Sequence, residues 1–195
     1  MKAQRVPTRT ATQQKSDPEL LRAIADGDIG ALGELYDRHA RDVWRAVYRT
    51  LGDLADVDDV LHTMFLKLPG IAPSYDGRAS CRGWLCGIGV RLALRHTRGL
   101  RRFRRMLCGF AETVPGASSH DPERGASGHE ALAALEGALG QLSPKKRAVF
   151  VLVELEGLRP EEAARALEIP TATVRTRLFH AKAELRRVLA ERGLT

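Results

Sequence analysis

The chain has 195 residues, 44% hydrophobic, 28% charged and only 5% aromatic, a length that suits two small helical cores better than one minimal module. Its 31 Lys and Arg against 24 Asp and Glu leave a formal charge of +7, which favours an anionic partner. Three unevenly spaced cysteines, Cys81, Cys86 and Cys108, with no long apolar span or secretory leader ahead of them, speak against a disulfide framework and membrane insertion. They lead us to expect a cytoplasmic chain with reduced, structural, metal-free thiols.

Residues 1–16 are polar without apolar period and read as a disordered tail. Helical periodicity begins at Asp17, expected as an N-cap ahead of Pro18, with Leu20, Leu21 and Ile24 on one face and Gly27 as the stop. A longer helix follows through Leu35, Tyr36, His39, Val43, Val47 and Leu51 to Gly52. The next is predicted from Asp53 to Leu68, with acids crowding its first turns, where they complement the helix dipole, and Pro69 ending it. After a turn, Ser80 caps a fourth helix with Cys81, Trp84, Leu85, Ile88 and Leu92 on one face and arginine on the other. Between Asp76 and Glu112 there are nine arginines and no carboxylate, a run that repels itself unless something negative lies against it.

Residues 111–128 mix proline, glycine and serine without apolar period and read as a flexible linker. In the second half a helix carries Leu132, Leu135, Leu139 and Leu142, and another starts at Ser143-Pro144 and ends at Gly157. A short helix from Pro160 to Leu167, the turn Glu168-Ile169-Pro170 and a final helix from Thr171 form a helix-turn-helix, which places its second helix in a major groove. Val174, Leu178, Ala181 and Leu185 make the buried stripe of that helix. Thr173, Arg175, Thr176, Arg177, Phe179 and His180 are left to meet base edges and phosphates. No period-two run is long enough to suggest a sheet, so the predicted fold is all-α, two helical domains at 17–110 and 129–195 joined by the linker.

In this order the motifs resemble the ECF group of the sigma-70 family. In the C-terminal half the likeness rests on Leu142-Ser143-Pro144-Lys145-Lys146-Arg147, Glu162-Ala163-Ala164, and Ile169 through Leu178. In the N-terminal half it rests on Asp58 through Leu68, the Asp76–Ser80 turn, Trp84-Leu85, Ile88 and the trailing arginines. The resemblance implies a sigma region 2-like helical bundle and a region 4-like helix-turn-helix domain, with core RNA polymerase, promoter DNA and an anti-sigma factor as partners. Asp58, Asp59, His62 and Phe65 would dock polymerase, with Phe65 equally readable as core. Arg78, Ser80, Arg82, Trp84, Arg91, Arg95 and Arg98 would recognise and open the minus-ten region, where melted bases need pockets and planes to hold them. Trp84 is also readable as core. Arg101, Arg102, Arg104 and Arg105 would grip phosphates, and Lys145, Lys146 and Arg147 either hold the flanking backbone or solvate a helix start. The helix-turn-helix residues named above would read the minus-thirty-five element.

His62, His180, Arg91 and Arg95 depart from the residues usual in that family, and Arg159 stands where a Ser or Thr is expected ahead of Pro160. No phosphate-cradling glycine loop, nucleophile elbow or paired His-Glu zinc signature is present, so no enzyme chemistry and no cofactor are expected. Two other readings stay open: a dimeric repressor or activator with a ligand-sensing N-terminal half, and a protein-interaction module that binds no promoter.

Overall fold

The structure is a computed structural model that describes residues 15–107 and 128–191, without side chains for 100–107 and 128–134. The tail, most of the linker and Cys108 lie outside the described residues. Every regular element among those described is helical: α1 (Asp17–Ala25), α2 (Ile29–Leu51), α3 (Val57–Ile71), α4 (Cys81–Leu107), α5 (Gly128–Gln141), α6 (Pro144–Phe150), α7 (Pro160–Leu167) and α8 (Thr171–Glu191). None is long and apolar enough to cross a membrane.

Local chemistry sets the helix ends. Ser16, not Asp17, caps α1: its backbone N–H and its hydroxyl both donate to Glu19, at 2.7 and 2.6 Å, closing a capping box. Asp17 is thereby free to pair with α2 through Arg38 and His39, at 2.9 and 2.8 Å. Asp28 caps α2, accepting from the Ala31 N–H at 3.0 Å, and Gly52, at φ 73°, closes it in the left-handed conformation that glycine adopts without strain.

Pro69 does not end α3. The helix runs through it to Ile71 and tightens into a 3₁₀ turn over Ala72–Ser74. Burial of Ala72, 4% exposed, at the foot of α1 holds the chain helical beyond the proline, tertiary packing overriding the local preference. The start also differs: Asp53 lies outside the helix, its carboxylate accepting from the Ala55 N–H at 3.1 Å, and Asp56 holds the N-cap position. In the second half α6 widens after Phe150 into a π-helical stretch, Val151–Leu155, before Gly157 at φ 73°.

The stripes read from the sequence meet in two cores, one large and one small. Leu20, Ile24, Leu35, Val43, Val47, Met64, Leu68, Leu85 and Val90 are buried at the centre of α1–α4. Ala148, Val149, Leu152, Leu158, Ala163, Ala164, Leu167 and Val174 of the second half belong to the same cluster. A smaller core, Ala138, Leu139, Leu142, Ala181, Leu185 and Val188, joins α5 to α8. The two halves are therefore packed directly on each other, chiefly α7 across α4, a placement no sequence pattern predicted.

Glycines make the close approaches possible. A Cβ on Gly87 would stand 2.4 Å from the Ala166 Cβ of α7, and one on Gly83 3.2 Å from Leu158 Cδ1. On the opposite face of α4, a Cβ on Gly89 would meet Val43 Cγ1 at 2.9 Å and Val47 Cγ2 at 3.0 Å. Both valines are fully buried and stiff at χ1. Gly89→Ala should therefore destabilise the protein despite alanine's helix-propensity advantage of about 1 kcal/mol, because overpacking costs about 1–3 kcal/mol. Urea unfolding checks it: the midpoint falls, whereas Gly99→Ala, which meets nothing within 4 Å, raises it or leaves it unchanged.

Candidate nucleic-acid and protein interfaces

One face of α3 is acidic and solvent-exposed. Asp59, His62 and Leu66 stand on it at helical spacing, all exposed, with Leu66 at 80%. Asp58 is engaged from α2, its carboxylate accepting from the Trp44 indole N–H at 2.9 Å. Phe65, by contrast, is 5% exposed and lies edge-on to Tyr36 with ring centroids 4.7 Å apart. Of the two roles open to it, the structure gives it the core one, and the apolar residue on the acidic face is Leu66. The family resemblance pointed to Phe65; only burial separates it from its neighbour Leu66.

The turn before α4 is held by its own residues. The Tyr75 hydroxyl donates to the Ala79 carbonyl at 2.8 Å, Asp76 accepts from the Arg78 N–H at 3.0 Å, and Ser80 Oγ caps α4 by accepting from the Gly83 N–H at 3.1 Å. Arg78 and Ser80 are exposed. Trp84 is half-buried, tilted on Tyr75 at 5.1 Å, and lines a cleft of about 200 Å³ between α4 and α7 with Ile71, Ile88, Leu158 and Ala166.

The arginine face of α4 is only partly free. Arg82 reaches Glu156 of the second half at 2.7 Å and donates to the Glu156 backbone carbonyl at 2.8 Å. Arg91 and Arg95 both pair with Glu168. Arg98 is exposed. The side chains of Arg101, Arg102, Arg104 and Arg105 lie outside the described residues. Glu156 is 6% exposed and takes a further contact from Arg49 at 3.5 Å. Nothing in the sequence marks that acid, because its significance lies in being buried against a basic helix 74 positions away.

The helix-turn-helix is assembled as the spacing implied. Glu162 reaches back to accept from the Arg159 N–H at 2.8 Å, the half of a capping box that needs no Ser or Thr, and its carboxyl is held below the usual range by the Arg159 side chain. Glu168 ends α7 at φ 55°, a left-handed conformation that strains a residue with a Cβ. Along α8, Arg175, Thr176, Phe179 and His180 are exposed and Thr173 and Arg177 half-exposed. Phe179 is 70% exposed, with the His180 ring edge-on at 5.7 Å. Arg175 rests on Glu161 of α7 at 2.8 Å, and Thr176 donates to the Ala172 carbonyl at 3.0 Å.

The lysine-arginine start of α6 splits three ways. Lys145 is exposed, Lys146 pairs with Glu184, and Arg147 is 9% exposed. Arg147 donates to the carbonyls of Gly140 at 2.8 Å, Leu142 and Leu51 at 3.3 Å, and Thr50 at 3.4 Å. It is thus a buried stitch that satisfies the C-terminal carbonyls of α2 and α5.

Among the described residues, Cys81 and Cys86 are both buried and free. Burial pushes both the Cys81 and the Cys86 thiol up to about 12, helped by Asp17 and Glu156 respectively, so both stay protonated at neutral pH unless a bound cation displaces the proton. His96 faces Asp56 at 3.2 Å.

Residues 35–103 match the family model for Sigma-70 region 2, and residues 132–185 that for Sigma-70, region 4. The ECF RNA polymerase sigma factor SigC of Mycobacterium tuberculosis is 30% identical over 90% of this chain and 92% of its own length. The RNA polymerase sigma factor NccH of Alcaligenes xylosoxydans xylosoxydans is 31% identical over 91% and 97%. Among solved structures, CnrH in complex with the cytosolic domain of CnrY aligns at a TM-score of 0.62 and 27% identity, covering 91% of this chain and 99% of that one.

The exposure contrast on α3 gives a direct test. Phe65→Ala should cost about 3–5 kcal/mol of stability, as loss of a buried aromatic does. Leu66→Ala should stay within about 0.5 kcal/mol of the parent. Paired urea denaturation curves measure both.

Proposed function

This chain belongs to the ECF group of the sigma-70 family, an RNA polymerase sigma factor with a role in promoter recognition and no catalysis of its own, and from that premise we propose how its residues divide the task. The observation that carries the proposal is the pairing, in one chain, of an exposed acidic face on α3 with two separate DNA-suited elements, the α4 arginine face and α8.

Residues 17–110 form the unit that binds core polymerase and opens the minus-ten region, 111–128 tether it, and 129–195 read the minus-thirty-five element. Asp59, His62 and Leu66 dock a basic, partly apolar surface of the core enzyme: the acid steers and Leu66 anchors. Asp58 contributes charge while its bond to Trp44 fixes the helix position. The Tyr75–Ser80 turn and the Trp84 cleft hold an unstacked base, with Arg78, Arg82, Arg91, Arg95 and Arg98 on the strand around it. In α8, Arg175 and Thr176 reach base edges, Phe179 packs on a thymine methyl, and Thr173, Arg177 and His180 position the helix. The chain works in the cytoplasm beside polymerase.

The packed arrangement is a resting one. Arg82, Arg91 and Arg95 are spent on Glu156 and Glu168, and Arg175 on Glu161, so DNA competes with internal carboxylates for the same guanidinium groups. Minus-ten contact requires α7 to leave α4. A solved relative, CnrH, is complexed with the cytosolic domain of CnrY; for this chain we infer an anti-sigma partner that holds the closed form.

Transcription with purified chain and core polymerase tests the division. Asp59→Ala and Leu66→Ala should weaken core binding on every promoter, whereas Arg175→Ala and Thr176→Ala should lose only start sites that depend on the upstream element, by about 1–3 kcal/mol of discrimination. Equal defects of all four everywhere count against it, and a chain that footprints duplex DNA without ever joining polymerase is the repressor reading instead. Closure is tested by Ala166→Leu, which wedges α7 off Gly87 without altering the α4 surface. At an overpacking cost of about 1–3 kcal/mol the open population should rise by roughly 5–150-fold, seen as a larger radius in small-angle scattering and tighter binding to promoter DNA with core polymerase. An unchanged radius and unchanged binding remove the closed-state claim.

A further inference from the structure

We propose that Asp17, His39 and Cys81 form a binding site for a divalent transition-metal ion of the zinc class. A carboxylate oxygen, a ring nitrogen and a sulfur from these three residues lie within 4.8 Å of one another. They come from three helices: Asp17 opens α1, His39 lies midway along α2, and Cys81 opens α4. Among the described residues no other group of three or more ligand-type side chains converges in this way.

The ligand set selects the ion. A thiolate with an imidazole and a carboxylate suits zinc or cobalt(II), whereas magnesium and calcium demand oxygen throughout. Zinc bond lengths place neighbouring tetrahedral ligands roughly 3.4–3.6 Å apart, so the longest separation need close by only about 1 Å, a side-chain adjustment. Three protein ligands leave one position for water.

Burial supports the site independently. Cys81 is 5% exposed, and its sulfur faces the other two ligands without a hydrogen bond of its own. The His39 ring already meets Asp17 through Nε2 at 2.8 Å, while its Nδ1 is buried with no hydrogen-bond partner. A buried polar atom left unpaired costs about 1–3 kcal/mol, a cost that coordination through Nδ1 would remove.

Charge is balanced as well. Asp17 and a Cys81 thiolate neutralise a divalent ion, and the thiol proton leaves to solvent as the metal–sulfur bond forms. Arg38, bonded to the other oxygen of Asp17 at 2.9 Å, carries its own counter-charge in Glu34. It fixes the carboxylate from behind, as outer partners of metal ligands do.

A bound ion ties the start of α4 to α1 and α2 directly after the Tyr75–Ser80 turn, and so braces that turn. This consequence alone rests on the promoter reading; the site itself does not.

The test is cobalt(II) titration of the full reduced chain, with no transcription readout. The wild type should develop a near-ultraviolet thiolate-to-cobalt band with visible tetrahedral bands, saturating at one ion per chain. Cys81→Ser should abolish the charge-transfer band, and His39→Gln and Asp17→Asn should weaken binding at least about tenfold, with unchanged circular dichroism showing that the variants fold. Cys86→Ser combined with Cys108→Ser should retain the full spectrum. Zinc should raise the thermal midpoint of the wild type but not that of His39→Gln. A featureless wild-type titration, a band that survives Cys81→Ser, or one lost with Cys86 and Cys108 overturns the assignment and leaves Asp17–His39 as a plain stitch between α1 and α2.

Discussion

The arrangement of the two halves depends on the burial of Glu156. A carboxylate withdrawn from water costs several kcal/mol unless charged partners meet it at good geometry, and Glu156 has two: Arg82 of α4 at 2.7 Å and Arg49 of α2 at 3.5 Å. Both belong to the other half of the chain. Separating the halves returns all three groups to water, where each is well solvated. The cluster therefore contributes less to the stability of this packing than to its specificity: it favours α7 settling on the arginine face of α4 in one register.

The apolar seam supplies the affinity. Gly83 and Gly87 strip α4 of side chains where Leu158 and Ala166 approach, so Leu158, Ala163 and Leu167 reach the same core as Leu85 and Ile88. Arg147 closes the far edge of the contact by satisfying the last carbonyls of α2. The arginine face of α4 is thus folded against α7 of the helix-turn-helix, and Arg82, Arg91 and Arg95 meet carboxylates of the second half. A carboxylate-free run of arginine would repel itself in a free chain; here the second half brings Glu156 and Glu168 to it.

Glu168 serves two ends at once. It closes α7 at φ 55°, where glycine would be unstrained, yet glycine would bring no carboxylate to Arg91 and Arg95. These two arginines are also among the positions that the family resemblance marks as unusual, and Glu168 stands beside both of them.

The sequence by itself determined the helices, their apolar stripes, the helix-turn-helix with its turn at Glu168–Pro170, and the family. These follow from spacing of a few residues, which periodicity, caps and turn chemistry encode locally. It did not determine that α3 continues past Pro69, that Phe65 is buried while Leu66 is exposed, or that Arg147 is a buried stitch. Nor did it reveal that Asp17, His39 and Cys81 converge, or that the α4 arginines meet Glu156 and Glu168. Each of these depends on which face of a helix is covered by an element far away along the chain, and that is settled only when the helices pack.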